Sequence, residues 1–190
     1  MRQVKRADMV INTRRSLLKA SGFGLLLVGA PALAKVTTPV KIPGRQIGMN
    51  HLHTSERIGL VYARGPVYLD PALDKLNVFL RDHYTHEVGS MDPGLYDILH
   101  DIRNALGARG HYEIISGYRS PKTNERLRTT RGGGVAKRSL HMDGKAIDVR
   151  LPGVPLKDLR EAAIALERGG VGYYPRDNFV HVDTGKFRTW

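Results

Sequence analysis

The stretch SLHMDGKAID, residues 139 to 148, constrains this chain more than any other. It sets an imidazole, His141, seven residues ahead of a carboxylate, Asp148, with Gly144 between them. A glycine in that place suits a loop that turns at Gly144 and feeds a short strand, Ala146 to Arg150, with Asp148 on one side of it. Neutral imidazole and carboxylate are ligands that a divalent zinc ion accepts, and a catalytic zinc keeps three protein ligands and one open position. Taken alone, the pair reads equally well as a buried histidine hydrogen-bonded to an aspartate. A third ligand must come from elsewhere, and FVHVD near residue 180 offers His181, with Asp183 two residues on. On a strand those two side chains share a face.

The chain has 190 residues, one domain's worth, and 41% hydrophobic residues, enough for a modest core. It has no cysteine, which excludes a thiolate-ligated metal and leaves redox compartment unreadable. The formal charge is +12, of which +5 falls in residues 1–34 and +7 in the remainder. Apart from Arg126 to Arg138 the basic residues are unclustered. No recognition-helix motif and no aromatic-interleaved basic patch appears, so nucleic acid is not expected as a partner. An anionic polymer such as murein suits the same charge.

Residues 1–34 read as an export signal. TRRSLLK carries twin arginines, Arg14 and Arg15, an apolar run follows around Phe23 to Val28, and Ala32 and Ala34 frame a cleavage site before Lys35. The apolar run is short for a bilayer span, so no stable transmembrane segment is expected after processing. The twin-arginine pattern resembles a Tat signal, which implies the Tat machinery as a partner of the precursor and a periplasmic destination. Residues 35–45 are expected to be a linker, and residues 46–190 the folded domain.

Within that domain, MNHLHTSERIGLVYARG alternates about a polar turn near Ser55 and Glu56, as a hairpin does. His51 and His53 fall on one face of it, as metal ligands or, more commonly, as surface residues. Helices are expected from Asp70-Pro71 and from Asp92-Pro93, each with proline in its first turn. The second has Leu95, Ile98, Leu99, Ile102 and Leu106 inward, with Gly107 as its cap. His83 and His86 lie past the first helix, and H-x-x-H alone is weak evidence for a metal. HYEIIS reads as a strand, Pro121 to Leu127 as a short helix, Pro155 to Arg168 as another, and GVGYY and FVHVD as strands joined by a turn at residues 175–178. The glycines of TTRGGGVAKRS lack the G-K-[ST] of a phosphate loop and suit a mobile loop beside a cleft. The order predicts an α+β fold with a small antiparallel sheet backed by helices.

Together SGYRSPKTN, GGGVAKRSLHMDGKAIDVR, GGVGYYP and FVHVDTG resemble one family, the YcbK-type (MepK-like) branch of the zinc D-Ala-D-Ala peptidase superfamily. The resemblance covers roughly residues 45–190. It implies one zinc ion per chain held by His141, Asp148 and His181, with Arg119 and Ser139 contacting substrate. It also implies murein endopeptidase activity on cross-linked stem peptides, through D-Ala–diaminopimelate or diaminopimelate–diaminopimelate bonds. The fit has one gap: where many superfamily members carry an acidic general base, three residues before the last ligand, this chain has Asn178. Asp183 is the favoured base or supporting partner, with Asp177, or His181 in another register, as alternatives. If the base is lost, the same fold reads as a non-catalytic zinc and peptidoglycan-binding module. Tyr173, Tyr174 and Trp190 could line a groove for substrate or pack in the core.

Overall fold

The computed structural model describes residues 43–130 and 135–190. The signal, its cleavage site and residues 35–42 of the linker lie outside the described residues, as do the glycines of the expected mobile loop. Strands β1 (Gly44–His51) and β2 (Arg57–Arg64) form the expected hairpin, and β1 takes in the last two residues read as linker. β3 (Val67–Tyr68), α1 (Asp70–Phe79), α2 (Gly94–Ala105), β4 (Tyr112–Ser116) and α3 (Pro121–Thr130) follow. The chain then runs through β5 (Ala146–Arg150), α4 (Leu156–Ala165), β6 (Gly170–Tyr174), β7 (Phe179–Asp183) and β8 (Arg188–Thr189).

The fold is α+β, and the expected small antiparallel sheet needs correction. Eight strands join one mixed sheet in the order β3-β2-β1-β4-β5-β7-β6-β8. β1 pairs parallel with β4, and β6 parallel with β8. β1 and β4 are separated in sequence by two helices, which is the long connection a parallel pair requires. The alternation inside each strand does not reveal that pairing. β3 and β8, of two residues each, are too short to carry a pattern.

The core forms where helix stripes meet one sheet face. Leu95, Ile98, Leu99 and Ile102 of α2 and Leu76 and Phe79 of α1 are buried with Met49, Ile114, Ile147, Val149, Val180 and Val182 from the strands. Ile147 and Val149 alternate with Asp148, and Val180 and Val182 with His181. One side of β5 and β7 therefore feeds the core while the other side is left for polar chemistry.

The loop between α3 and β5 is anchored at Gly144. Its φ is +65°, and a Cβ would collide with the Ser90 carbonyl. The Gly144 carbonyl accepts the Asp92 N–H at 2.9 Å, and the Asp92 carboxylate accepts the Thr184 hydroxyl at 2.6 Å. The start of α2 thus holds both the motif loop and the end of β7. Gly144→Ala should combine left-handed strain with that collision and cost at least about 2 kcal/mol. Urea unfolding of the variant checks this.

Candidate metal centre

The pairing of β5 with β7 sets Asp148 directly opposite His181, and the pairing of β4 with β5 sets Ser116 opposite Asp148. His141 reaches the same point from the turn before β5, where Met142 N–H bonds to Ser139 O and Gly144 N–H to His141 O. Asp148 Oδ1 lies 2.8 Å from His181 Nδ1 and 3.3 Å from His141 Nε2, and the two nitrogens are 3.3 Å apart. Ligands about 2.0–2.1 Å from a tetrahedral ion sit about 3.3 Å from one another. The three atoms can therefore hold a metal ion, and no other group of three such side chains among the described residues converges in this way.

Each imidazole is oriented from behind. His141 Nδ1 donates to the Gly117 carbonyl at 2.8 Å, leaving the Nε2 lone pair facing its partners. His181 Nε2 donates to Asp183 Oδ2 at 3.2 Å, leaving Nδ1 on the ligand side. Outer hydrogen bonds of this kind fix which ring nitrogen is free for a metal. Asp183 is fully buried, and its carboxylate also accepts the Gly170 and Gly185 N–H groups and the Arg188 guanidinium. Burial opposes its charge, but these donors outweigh that and hold it well below the ordinary carboxylate range. Asp148 is likewise held down, burial notwithstanding, by His141 and His181.

The centre opens into a cleft of about 480 Å³ lined by Arg119, Arg138, Ser139, Asp177, Arg188 and Trp190, among others. Arg119, 3.8 Å from Asp148 Oδ2 and 3.4 Å from Ser116 Oγ, is tied to the motif through its N–H on the His141 carbonyl. Tyr174 and Trp190 line the cleft, whereas Tyr173 packs against the core. Asn178 has a φ of +56°, which explains an asparagine at this turn, and it lines a separate hollow with Glu113 and Arg150.

Two groups were not legible in advance. Asp82, buried beneath the loop that carries Arg119, accepts the Ser120 and Tyr84 N–H groups at 2.8 Å each. Against the cost of burial these bonds and Thr123 bring its pKa to about 2. Arg188 carries no local motif, because its role depends on β8 pairing beside β6. The other histidines stay apart from the centre. His53 stacks on His83 at 4.1 Å, and His51, expected as a ligand or a surface residue, is buried beside them with its Nδ1 accepting the His53 N–H.

A family model described as peptidoglycan L,D-endopeptidase MepK matches residues 40–190. The chain belongs to the MepK family of peptidases. It is 44% identical over 179 residues to the peptidoglycan L,D-endopeptidase MepK of Escherichia coli K12, covering 93% of this chain and 96% of that one. It is 40% identical over 186 residues to a probable MepK of Haemophilus influenzae, covering 96% and 98%. Membership in this peptidase family agrees with the resemblance read from the motifs, and no helix among the described residues is long and apolar enough to cross a membrane.

Burial works against a charged His181, but its bonds to Asp148 and Asp183 prevail and raise its pKa to about 9. The charged form therefore stabilises the metal-free fold fully below pH 6.5, and that gain is lost as pH rises through 9. A metal ion would replace the Nδ1 proton, so metal affinity should fall about tenfold per unit as pH drops below 9. Calorimetric titration of Zn2+ at pH 7, in buffers of different ionisation enthalpy, should register release of about one proton.

Proposed function

We propose that this chain is a zinc-dependent peptidoglycan endopeptidase that hydrolyses peptide cross-links, with His141, Asp148 and His181 as the metal ligands. The observation that carries the reading is the convergence of three ligand atoms, two with their tautomers set from behind, at the floor of an open cationic cleft. The relatives are named for L,D-bonds. That favours the diaminopimelate–diaminopimelate link, which joins an L-centre to a D-centre, over D-Ala–diaminopimelate.

Zinc bound there supplies Lewis acidity, lowering the pKa of water to about 7 and polarising a carbonyl. The remaining work falls to the chain. Of the carboxylates considered as base, Asp183 is fully buried with its oxygens occupied, so it serves as the group that orients His181. Asp177 lines the cleft and, unlike Asp148, is not committed to the ligand set, which makes it the acceptor for the proton of the attacking water and its donor to the leaving amine. Arg119 offers a permanently charged fork to the oxyanion that develops on the scissile carbonyl or to a stem carboxylate. Ser139, buried at the cleft wall, positions substrate backbone through its hydroxyl.

The alternative of a non-catalytic binding module drew on Asn178, and the left-handed turn accounts for that residue without loss of a base. Cross-linked muropeptides incubated with the zinc-loaded chain should yield monomers by mass spectrometry, and chelator-treated chain should yield none. Absence of cleavage by folded, zinc-loaded protein would favour the module. Asp177→Asn should keep its zinc and lose about 10²–10⁴-fold in kcat. Asp183→Asn should instead weaken zinc binding by about 10–100-fold. We also propose that Arg14 and Arg15 direct export to the periplasm through the Tat route, so that replacing both with lysine leaves the protein in the cytoplasmic fraction.

A further inference from the structure

Gly172 of β6 lies directly opposite His181, and a Cβ there would come within 2.7 Å of the Trp190 ring. The indole occupies the space that a side chain at residue 172 would fill, with its ring centre 5.3 Å from that of His181. It is fixed from several directions. Nε1 donates to the Tyr174 hydroxyl at 2.8 Å, and the Trp190 backbone bonds to Val171 and Tyr173. The Arg188 guanidinium sits 4.9 Å from the ring, and Tyr174 is itself stacked on Phe179 at 4.5 Å. Yet Trp190 remains 49% exposed. A large aromatic plane held this rigidly with half its surface open to a cleft is not serving the core, and it offers a contact face at little entropic cost.

The three arginines among the described residues of the cleft differ in their commitments. Arg119 is engaged with Ser116 and Asp148, and Arg188 holds Asp183. Arg138, adjacent to Ser139, is exposed on the cleft wall and makes no ion pair or hydrogen bond with a described residue. Among the described arginines of the cleft it is the one placed to meet an anionic group of the substrate beyond the one that Arg119 would meet.

We propose that Trp190 and Arg138 form a specificity subsite for a residue whose aliphatic side chain ends in a carboxylate, as diaminopimelate's does. The hydrocarbon lies along the indole, and the carboxylate pairs with the guanidinium. This deepens the endopeptidase reading and rests on it. A planar fork suits a carboxylate better than an ammonium or an amide does, because it donates two parallel hydrogen bonds.

Trp190 is the chain's one tryptophan, so its emission reports the subsite directly. The zinc-loaded full chain is titrated with the tripeptide L-Ala-D-Glu-diaminopimelate, and with the same peptide amidated on the side-chain carboxylate. Neither probe contains a cross-link. The free acid should shift the emission and bind about tenfold more tightly than the amide. Arg138→Ala should erase that preference, and Arg138→Lys should restore part of it. On cross-linked dimers, Arg138→Ala and Trp190→Ala should each raise KM with kcat little changed, and Trp190→Phe should retain most of the binding. No emission change at saturation, or equal affinity for acid and amide in the native chain, overturns the subsite. If the preference holds but no cross-link is cut, the endopeptidase reading falls and the subsite stands.

Discussion

The register between β5 and β7 is the constraint on which the rest depends. Asp148 and His181 are Cα partners in an antiparallel pair, and a slip of one residue would turn Val149 or Ile147 toward the cleft and bury carboxylate and imidazole in the core. A period of two makes such a slip an inversion of both faces at once. The apolar positions on the helix-packed side, Ile147, Val149, Val180 and Val182, therefore help to hold Asp148 and His181 on the cleft face. Core packing and site geometry are one problem here, solved by the same five-residue strands.

Around that pair the structure adds supports, two on the imidazoles themselves and one on the segments that carry them. The Gly117 carbonyl turns His141, Asp183 turns His181, and Asp92 binds the motif loop to the end of β7. Arg188 then secures Asp183 from β8. The residue that follows the same short strand, Trp190, lies beside His181, so the Asp183 anchor and the exposed indole of the cleft are two positions apart in sequence. A change in β8 would be felt in both.

The convergence of His141, Asp148 and His181 was readable because these residues lie in two compact motifs whose strand periodicity shows which side chains share a face. The helices were readable for a similar reason, since Leu95, Ile98, Leu99 and Ile102 recur at helical spacing and are buried together. What escaped notice lies in contacts between segments distant in sequence. The parallel pairing of β1 with β4, Asp82 under the Ser120 amide, and Arg188 against Asp183 leave no local trace. Asn178 shows the opposite difficulty: a position judged by what chemistry it lacked is occupied for the sake of a backbone angle. Exposure, too, could not be inferred from sequence for Asp183, whose two-residue offset from His181 suggests a cleft position although the side chain is fully buried.

The bridge that His181 makes between two aspartates has a bearing on how the protein matures. In the absence of an ion, a proton on Nδ1 keeps that ring bonded to Asp148, while Nε2 stays on Asp183. The proton is a place-keeper: it neutralises part of the buried negative charge that would otherwise strain an empty site. Small zinc-organised domains collapse without their ion because nothing else holds the ligands together. Here a full sheet and a protonated imidazole do so, which would separate the shaping of the site from the binding of a metal there. A chain built this way would keep its site in shape ahead of any ion that arrives there.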